Sequence, residues 1–242
     1  WNTSKLENIA QIFANASSFN QDIGNWNTSL VRTFYAIFNG ASSFNQPIGD
    51  WDTSSVTSFS QTFRDAMIFN QDLSLWDLSN ATGMPFIFDG ASSFDQDLSN
   101  WNISSVTSME GCFTDADMLS AANKGQIQKT FSTNPNWSYD WRQFIIMDDT
   151  EFQNAINLWF SNEANATTIY GHIRDWNTSA VTTLNNTFQF RTDFNGDISG
   201  WDTTSVTSMK NTFNGASTFN QNIGDWNVSS VTTMMQAFKN AT

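Results

Sequence analysis

The sequence predicts an α/β solenoid, a stack of 25-residue turns that each contain one strand and one short helix. Two observations predict it: tryptophan recurs every 25 residues, and each copy contains a helical spacing followed by an alternating one. Neither short element can bury its apolar face alone, whereas stacked copies can. An all-β solenoid is the alternative, because the periodicity of short apolar runs does not separate the two.

The repeat is defined by its tryptophans, and we count each as position 1. They divide the chain into a first run of five repeats (1–116), an irregular joint (117–149), and a capping helix with a second run of three repeats (150–242). The eight tryptophans keep one register, since the gap between the runs is three repeat lengths: Trp1, Trp26, Trp51, Trp76, Trp101, Trp176, Trp201 and Trp226.

The first half of each repeat has a helical spacing. Val56, Phe59 and Phe63 lie three and four residues apart, which is typical of a short helix with one buried stripe. Ser54 is placed to cap its N-terminus. The tryptophans and the phenylalanines at position 13 then predict two core columns, the second made of Phe13, Phe38, Phe63, Phe88, Phe113, Phe188, Phe213 and Phe238.

The second half of each repeat alternates. Phe69, Gln71 and Leu73 would share the inner face of a strand, with parallel neighbours about 4.8 Å away. The glutamines would form an inward amide ladder that fixes the register: Gln21, Gln46, Gln71, Gln96 and Gln221. Pro47 conflicts with this strand because it lacks the N–H that a central strand needs.

The joint loses the repeat pattern, and order returns with a predicted helix near residues 151–160. Phe152, Ile156 and Trp159 fall on one face of it, behind Thr150 as a cap. We expect this helix to cover the open end of the second run. Trp137 and Trp141 are expected to pack in the joint.

Charge and composition exclude several classes of function. A formal net charge of −13 repels nucleic acid, and no apolar run is long enough to cross a membrane. The only cysteine, Cys112, is predicted to be a small buried residue. The only histidine, His172, has no cysteine or distinctive serine that it could activate as a nucleophile. The sequence therefore predicts no enzyme and no cofactor.

Outward positions suggest two lesser sites. Asp22, Asp72, Asp97 and Asp197 form a column that could hold Ca²⁺, although a solvated acidic face is the favoured interpretation. Sequons at Asn136 and Asn165 are the favoured glycosylation sites. The sequons that follow the repeat tryptophan are instead explained by side-chain capping of the next turn, because Asp replaces Asn at several of them.

The repeat resembles a known family. The runs Ser43–Phe59 and Ser217–Met234 are similar to the BspA-like leucine-rich-repeat surface proteins, also grouped as DUF285, and Phe152–Trp176 looks like a segment that opens such arrays. The resemblance implies a leucine-rich-repeat-like solenoid on secreted or anchored surface proteins that act in adhesion.

These observations predict a non-enzymatic extracellular protein with a structural or adhesive role, in the form of a filament subunit or a rod. Its partners would be other copies of itself, or other surface proteins and glycans. The alternative is a receptor-like module that binds one glycan or peptide. The chain begins and ends within the repeat pattern, so we expect it to be a piece of a longer array.

Overall fold

The protein is described by a computed structural model that covers residues 1–241. It contains two compact units, Trp1–Asp140 and Trp141–Thr242. The first unit contains helix α1 (Ala121–Phe131). The second contains α2 (Asp149–Ser161), α3 (Glu163–Tyr170) and two 3₁₀ turns, Arg142–Phe144 and Ile173–Asp175. No helix among the described residues has the length and apolarity that crossing a bilayer requires.

The prediction of an α/β solenoid is wrong, and so is its all-β alternative. Every helix in residues 1–241 lies between Ala121 and Asp175, and none lies in a repeat. The repeats described there contain no strand either, only single parallel bridges that join Thr33, Ser58, Gly83 and Ser108 in the first unit and Thr183, Ser208 and Thr233 in the second. Each repeat is a closed series of tight turns stacked on its neighbours, so the leucine-rich-repeat cross-section is wrong as well.

Left-handed residues prevent the predicted helix. Positions 11 and 15 of the repeat have positive φ, as at Gln61 (57°) and Asp65 (56°), and a continuous helix cannot pass through such residues. The N–H groups of Phe59 and Phe63 therefore donate to carbonyls of the next repeat at 2.9 and 2.8 Å, rather than to residues four positions earlier. The spacing of three and four arises from consecutive turns that each return an aromatic side chain to the core.

Side chains replace the backbone ladder of the predicted strand. The amide N–H of Asn70 donates to Oδ1 of Asn45 at 2.9 Å, one repeat earlier, instead of to a backbone carbonyl. Pro47 is exposed in this segment. Its missing N–H costs nothing here, because no strand ladder forms.

Aromatic columns make the core of both units. Most consecutive rings of one column stack with centroids 5.3 to 6.5 Å apart, as in Phe38–Phe63 (5.6 Å) and Trp76–Trp101 (6.5 Å). Phe34 packs edge-on against both Trp51 and Trp76, at 5.6 and 5.5 Å. Most members of the two predicted columns are buried: Trp51, Trp76, Trp101, Trp176, Trp201, Trp226, Phe38, Phe63, Phe88, Phe113, Phe188 and Phe213. Trp26 and Phe13 are half-buried, whereas Trp1 and Phe238 are exposed.

Most buried tryptophans of the repeats also join neighbouring repeats through the indole N–H, whereas Trp176, in the first repeat of the second unit, donates to Gly171. Trp76 Nε1 donates to the carbonyl of Ile48 at 3.0 Å, and Trp101 Nε1 donates to that of Leu73 at 2.9 Å. The same bond recurs in the second unit, from Trp201 to Ile173 at 2.8 Å. The column therefore supplies both apolar area and satisfied polar contacts between repeats.

Asn or Asp at position 2 caps the first turn of each repeat. Oδ1 of Asp52 accepts from the backbone N–H of Ser54 at 3.0 Å and from its hydroxyl at 2.6 Å. The prediction that these residues cap a turn is confirmed. Ser54 does not cap a helix, however, because no helix follows it and its hydroxyl donates to the carboxylate.

Helix α1 closes the first unit within the segment predicted to be irregular. Ser120 caps α1 by accepting from the N–H of Asn123 at 3.3 Å. The helix is only weakly amphipathic, which explains why the apolar pattern did not reveal it. Trp137 then packs edge-on against Phe131 at 5.2 Å, still within the first unit.

Helix α2 opens the second unit where a helix was predicted. Phe152, Ile156 and Trp159 are buried as expected, and Phe152 contacts Trp201 edge-on at 5.3 Å. Its cap is Asp148 rather than Thr150, since Asp148 Oδ1 accepts from the N–H of Glu151 at 2.8 Å. Trp141 is buried and belongs to this second unit.

Candidate functional site

The most regular polar surface of the first unit runs along positions 20 to 22 of successive repeats, and we call it the polar ribbon. It consists of Asn20, Gln21 and Asp22, then Asn45, Gln46 and Pro47, then Asn70, Gln71 and Asp72, and finally Asp95, Gln96 and Asp97. Phe and Ile or Leu residues at positions 19 and 23 flank it on both sides, and all of them are buried except the half-buried Phe19. Its backbone is therefore anchored while its polar side chains reach the surface.

An asparagine ladder holds the polar ribbon together. Oδ1 of Asn45 accepts from Asn70 N at 2.9 Å, and Oδ1 of Asn70 accepts from Asp95 N at 2.9 Å. Oδ1 of Asp95 then accepts from Ser120 N, so the cap of α1 continues the same ladder. Burial acts to raise the pKa of Asp95, but the hydrogen bonds from Ser120 and Asn123 lower this pKa below its ordinary value. The carboxylate is thus held charged at the end of the ladder.

The predicted glutamine ladder exists in a different form. Gln71 Nε2 donates to Asn45 Oδ1 at 2.9 Å, and Gln96 Nε2 donates to Asn70 Oδ1 at 2.7 Å. The glutamines therefore bond to the asparagine column and not to one another. They are half-buried, apart from the exposed Gln21, so their predicted inward position is wrong. The core beneath them is filled with aromatic rings, which leaves no space for an amide.

Part of each ladder amide stays free. Asn45 Oδ1 accepts two hydrogen bonds, whereas its Nδ2 and the Oε1 of Gln71 make none within residues 1–241. The ladder thus uses one end of each amide for the fold and leaves the other end on the surface. A donor and an acceptor are repeated in this way from one repeat to the next.

The predicted calcium column does not converge. Oδ1 of Asp72 accepts from the N–H of Ser74 at 2.8 Å, and Asp22 and Asp97 make the same short turn with Gly24 and Ser99. No group of three or more His, Cys, Asp or Glu side chains in the described part of the chain is placed to hold a metal ion. The carboxylates act locally, as turn caps.

Asp197 is the corresponding carboxylate of the second unit. The backbone N–H and the hydroxyl of Ser199 donate to its Oδ1 at 3.0 and 2.7 Å. These bonds lower the pKa of Asp197 below its ordinary value. Its carboxylate is therefore used by its own turn, like those of the first unit.

A groove of about 390 Å³ runs beside the polar ribbon of the first unit. Asp22, Asp50 and Asp72 provide its charge, and the exposed Leu75 provides an apolar edge. Its floor is close-packed: a Cβ on Gly49 would lie 2.6 Å from the carbonyl oxygen of Asp72. The turns can approach this closely only because glycine occupies that position.

The two favoured sequons differ in their surroundings. Asn136 is exposed, and its Nδ2 lies 3.2 Å from Oδ1 of Asn134. Asn165 is half-buried in the first turn of α3, where its N–H donates to Oδ1 of Asn162. Asn136 is therefore the more accessible of the two.

Neither single residue singled out for chemistry has a reactive arrangement. Cys112 is buried, and its Sγ lies 2.8 Å from the carbonyl oxygen of Met109. The hydroxyl of Thr62 makes the equivalent contact with the carbonyl of Phe59, at 2.7 Å, in an earlier repeat. Burial raises the pKa of the Cys112 thiol. His172 is exposed, and its Nδ1 accepts from the N–H of Arg174 at 3.3 Å while Trp159 packs edge-on against its ring.

Sequence reasoning missed the residues that close the second unit. In the repeats, the N–H at position 7 donates to the position 7 carbonyl of the preceding repeat, as Thr207 does to Thr182 at 2.8 Å. Thr182 has no preceding repeat, and the carboxylate of Asp149 takes the place of that carbonyl, accepting from Thr182 N at 2.7 Å and Thr183 N at 3.1 Å. Asp149 stands beside the capping residue of α2, and only its position in space reveals this role.

Comparison with known proteins identifies one family. The model of a family described as "Mycoplasma protein of unknown function, DUF285" matches residues 1–84, 21–126 and 154–242. No curated protein and no solved structure matches the chain. The broader relation to BspA-like leucine-rich-repeat proteins stays a prediction. The matches leave out only residues 127–153, and the chain therefore belongs to the DUF285 family.

Proposed function

We propose that this protein is a non-enzymatic structural or adhesive repeat protein of the cell surface. The observation that carries the proposal is the asparagine ladder, which fixes the backbone of one repeat to the next and leaves a free Asn Nδ2 and a free Gln Oε1 on several successive steps of the first unit. A rigid stack of this kind can present many identical weak contacts at fixed intervals. Such contacts gain strength by multivalency rather than by one tight site.

The chemistry of the remaining residues supports a role without catalysis. Cys112 is buried with a raised thiol pKa, so it is a poor nucleophile. His172 uses Nδ1 to hold its own turn. Asp72 and Asp97 cap their own turns, and Asp95 accepts from Ser120 and Asn123, so these carboxylates are hydrogen-bonded to neutral groups.

A bead assay tests the adhesive role. Beads coated with the whole chain at increasing density should adhere to source cells or to one another, with adhesion rising more steeply than density, because binding through many weak contacts is cooperative in density. Beads that adhere to nothing at any density would contradict the proposal. Including EDTA in parallel samples separates calcium-dependent adhesion from direct contact, and electron microscopy of the native protein separates filaments from single rods.

A matched pair of variants identifies the adhesive surface. Asn45→Asp removes the free Nδ2 donor of the polar ribbon but keeps an oxygen for Asn70 N, as Asp95 does for Ser120 N. This variant should weaken adhesion without unfolding the chain. Thr57→Ser changes an exposed residue outside the ribbon and keeps its hydroxyl, so its adhesion should equal that of the unchanged protein.

The second candidate is a receptor-like module that binds a glycan. The observation that favours it is the pairing of a free Asn Nδ2 with a free Gln Oε1 at each step, because sugar hydroxyls both donate and accept hydrogen bonds. Competition in the bead assay by one soluble glycan would support this candidate. Adhesion that persists in a broad set of soluble glycans would favour contact with protein instead.

A further inference from the structure

We propose that Asn195 is a site of spontaneous deamidation, with Gly196 as the attacking neighbour and the asparagine ladder as the activating environment. This inference goes beyond the proposed function and does not depend on it. The chain contains three Asn–Gly pairs, Asn39–Gly40, Asn195–Gly196 and Asn214–Gly215. In the structure the three pairs differ in whether the glycine N–H is hydrogen-bonded.

The reaction needs a free backbone nitrogen after the asparagine. The nitrogen of Gly196 attacks Cγ of Asn195 and loses its proton to solvent, and the Cγ–Nδ2 bond breaks as ammonia leaves with a proton from water. Water then opens the resulting succinimide at one of its two carbonyls, which yields aspartate or isoaspartate. Glycine favours the attack because it has no Cβ to obstruct the approach and permits the required backbone rotation.

Two of the three pairs are protected by the stack. Gly40 N donates to the carbonyl of Arg64 at 2.8 Å, and Gly215 N donates to that of Lys239 at 2.8 Å. Both glycines stand at position 15 of the repeat, where this bond to the next repeat recurs. Attack by either nitrogen requires that bond to break first, and Asn214 is also buried.

The third pair is open. Asn195 stands at position 20 and is exposed, and the N–H of Gly196 makes no hydrogen bond within residues 1–241. The repeats usually carry glutamine after this residue, as at Gln46 and Gln71. Gly196 replaces that glutamine, so the sequence places the least hindered residue at the one Asn–Gly pair that lies outside the backbone network.

The ladder also activates the carbonyl that is attacked. Asn195 Oδ1 accepts from Asn220 N at 2.8 Å and from Gln221 Nε2 at 3.1 Å. These donors withdraw electron density from Cγ, and they stabilise the negative charge that develops on the oxygen when the Gly196 nitrogen adds. Donors placed in advance around such an oxygen are a general means of accelerating attack on a carbonyl.

The two products have different consequences for the fold. Aspartate keeps an oxygen at the ladder position, as Asp95 does in the first unit when it accepts from Ser120 N at 2.9 Å. Isoaspartate routes the main chain through the former side chain and adds a methylene group to it. The ladder oxygen then becomes a main-chain carbonyl in a shifted position, so the bonds to Asn220 and Gln221 are lost.

The test compares all three pairs by peptide mass spectrometry after the whole chain is aged at mildly alkaline pH. Asn195 should deamidate at least about fivefold faster than Asn39 and Asn214, because breaking one protecting hydrogen bond costs on the order of 1 kcal/mol or more. In concentrated urea the three rates should become similar. Equal rates in the folded chain, or the same advantage for Asn195 in urea, would each overturn the proposal.

Two variants separate the attacking group from the activating group. Gly196→Gln restores the residue common at this position and should strongly slow deamidation at Asn195. Its Cβ would lie 2.8 Å from Cε2 of Phe194, so that ring has to shift for the chain to stay folded. Gln221→Met removes one of the two donors to Oδ1 and should slow the reaction about two- to tenfold, the effect of losing one hydrogen bond. A Gln221→Met chain that deamidates at the unchanged rate would exclude the activating role of the ladder.

Discussion

Thr53 offers a direct test of how the stack is held, because one buried hydroxyl joins two repeats. Thr53 Oγ1 donates to the carbonyl of Asp77 at 3.1 Å and accepts from the N–H of Asp77 at 2.7 Å. The residue is 2 % exposed. Thr53→Val keeps the shape of the side chain, since both residues are β-branched, and removes only this reciprocal pair.

The size of the effect follows from the groups left unpaired. A buried donor that loses its partner costs about 1–3 kcal/mol. Asp77 itself is exposed, so water reaches part of its backbone, which moves the expected value to the lower half of that range. A methyl group in place of the hydroxyl recovers part of the loss through burial. We therefore expect Thr53→Val to destabilise the first unit by about 1.5 kcal/mol.

The same substitution at Thr57 is the matched control. Thr57 is exposed, and its Oγ1 donates to the carbonyl of Arg32 at 3.2 Å, where water can replace it. Thr57→Val should therefore change the free energy of unfolding by about 0.5 kcal/mol or less. Urea unfolding followed by tryptophan fluorescence gives both values. Equal midpoints for the two variants would refute the view that inter-repeat hydroxyl bonds stabilise this stack.

Three further predictions address the ladder, the left-handed turns and the cap. Asn45→Ala should destabilise the first unit by about 1–2 kcal/mol, because it removes the acceptor of Asn70 N. Asn45→Asp keeps an acceptor oxygen and should destabilise it by less than about 0.5 kcal/mol. The midpoints of urea unfolding check this order. Gly90→Ala should destabilise the first unit by about 1–2 kcal/mol, since Gly90 has φ +70° and an added Cβ would lie 2.5 Å from Asp65 Oδ1. Gly83→Ala is the control, because its Cβ would meet nothing closer than 3.6 Å, and it should be nearly neutral in thermal unfolding. Burial acts to raise the pKa of Asp149, but hydrogen bonds from Thr182 and Thr183 lower this pKa below its ordinary value. The contribution of Asp149 to the stability of the second unit is therefore complete above the ordinary carboxyl pKa. It is lost as the pH falls through the lower pKa of the folded state. Acid titration of thermal stability should show that loss in the unchanged chain, and a curve unchanged by Asp149→Asn would contradict the role of the carboxylate.

The sequence predicted the parts of the fold that depend on period alone. The 25-residue register, the burial of Trp76 and Phe63, and the capping of turns by Asp52 follow from residues that recur at fixed intervals. The conformation between those residues could not be predicted in the same way. Gln61 has φ 57° although glutamine does not favour that region, and its N–H donates to the carbonyl of Pro85 in the adjacent repeat at 2.9 Å.

The candidate site also divides into a part that the sequence predicted and a part that it could not predict. The sequence repeats asparagine at position 20, as at Asn45 and Asn70, next to the glutamines of the predicted ladder. It did not show that an asparagine oxygen would replace a backbone carbonyl for the next repeat. That substitution depends on the distance between two repeats, which no local propensity encodes.

The caps show how a repeat array ends without exposing its polar backbone. At the last repeat of the first unit, Asn134 Nδ2 donates to the carbonyls of Ile103 and Val106 at 2.7 and 2.9 Å, although Asn134 lies in the turn after α1. One buried side chain thus donates to two carbonyls at the end of the first array.

Asn134→Leu should consequently destabilise the end of the first unit more than a surface substitution can. It removes one donor from each of two carbonyls, at about 1 kcal/mol in all, because the carbonyl of Ile103 keeps its bond from Val106 N at 3.0 Å and that of Val106 keeps a longer one from Asn136 Nδ2 at 3.4 Å. Hydrogen exchange should become faster at the amides of residues 101–116 and stay unchanged in Trp176–Trp226, which belongs to the other unit. Thr133→Ala is the control, since Thr133 is exposed and its hydroxyl bonds only within its own turn. Faster exchange throughout both units, or none at residues 101–116, would show that Asn134 does not act as the cap of the first array.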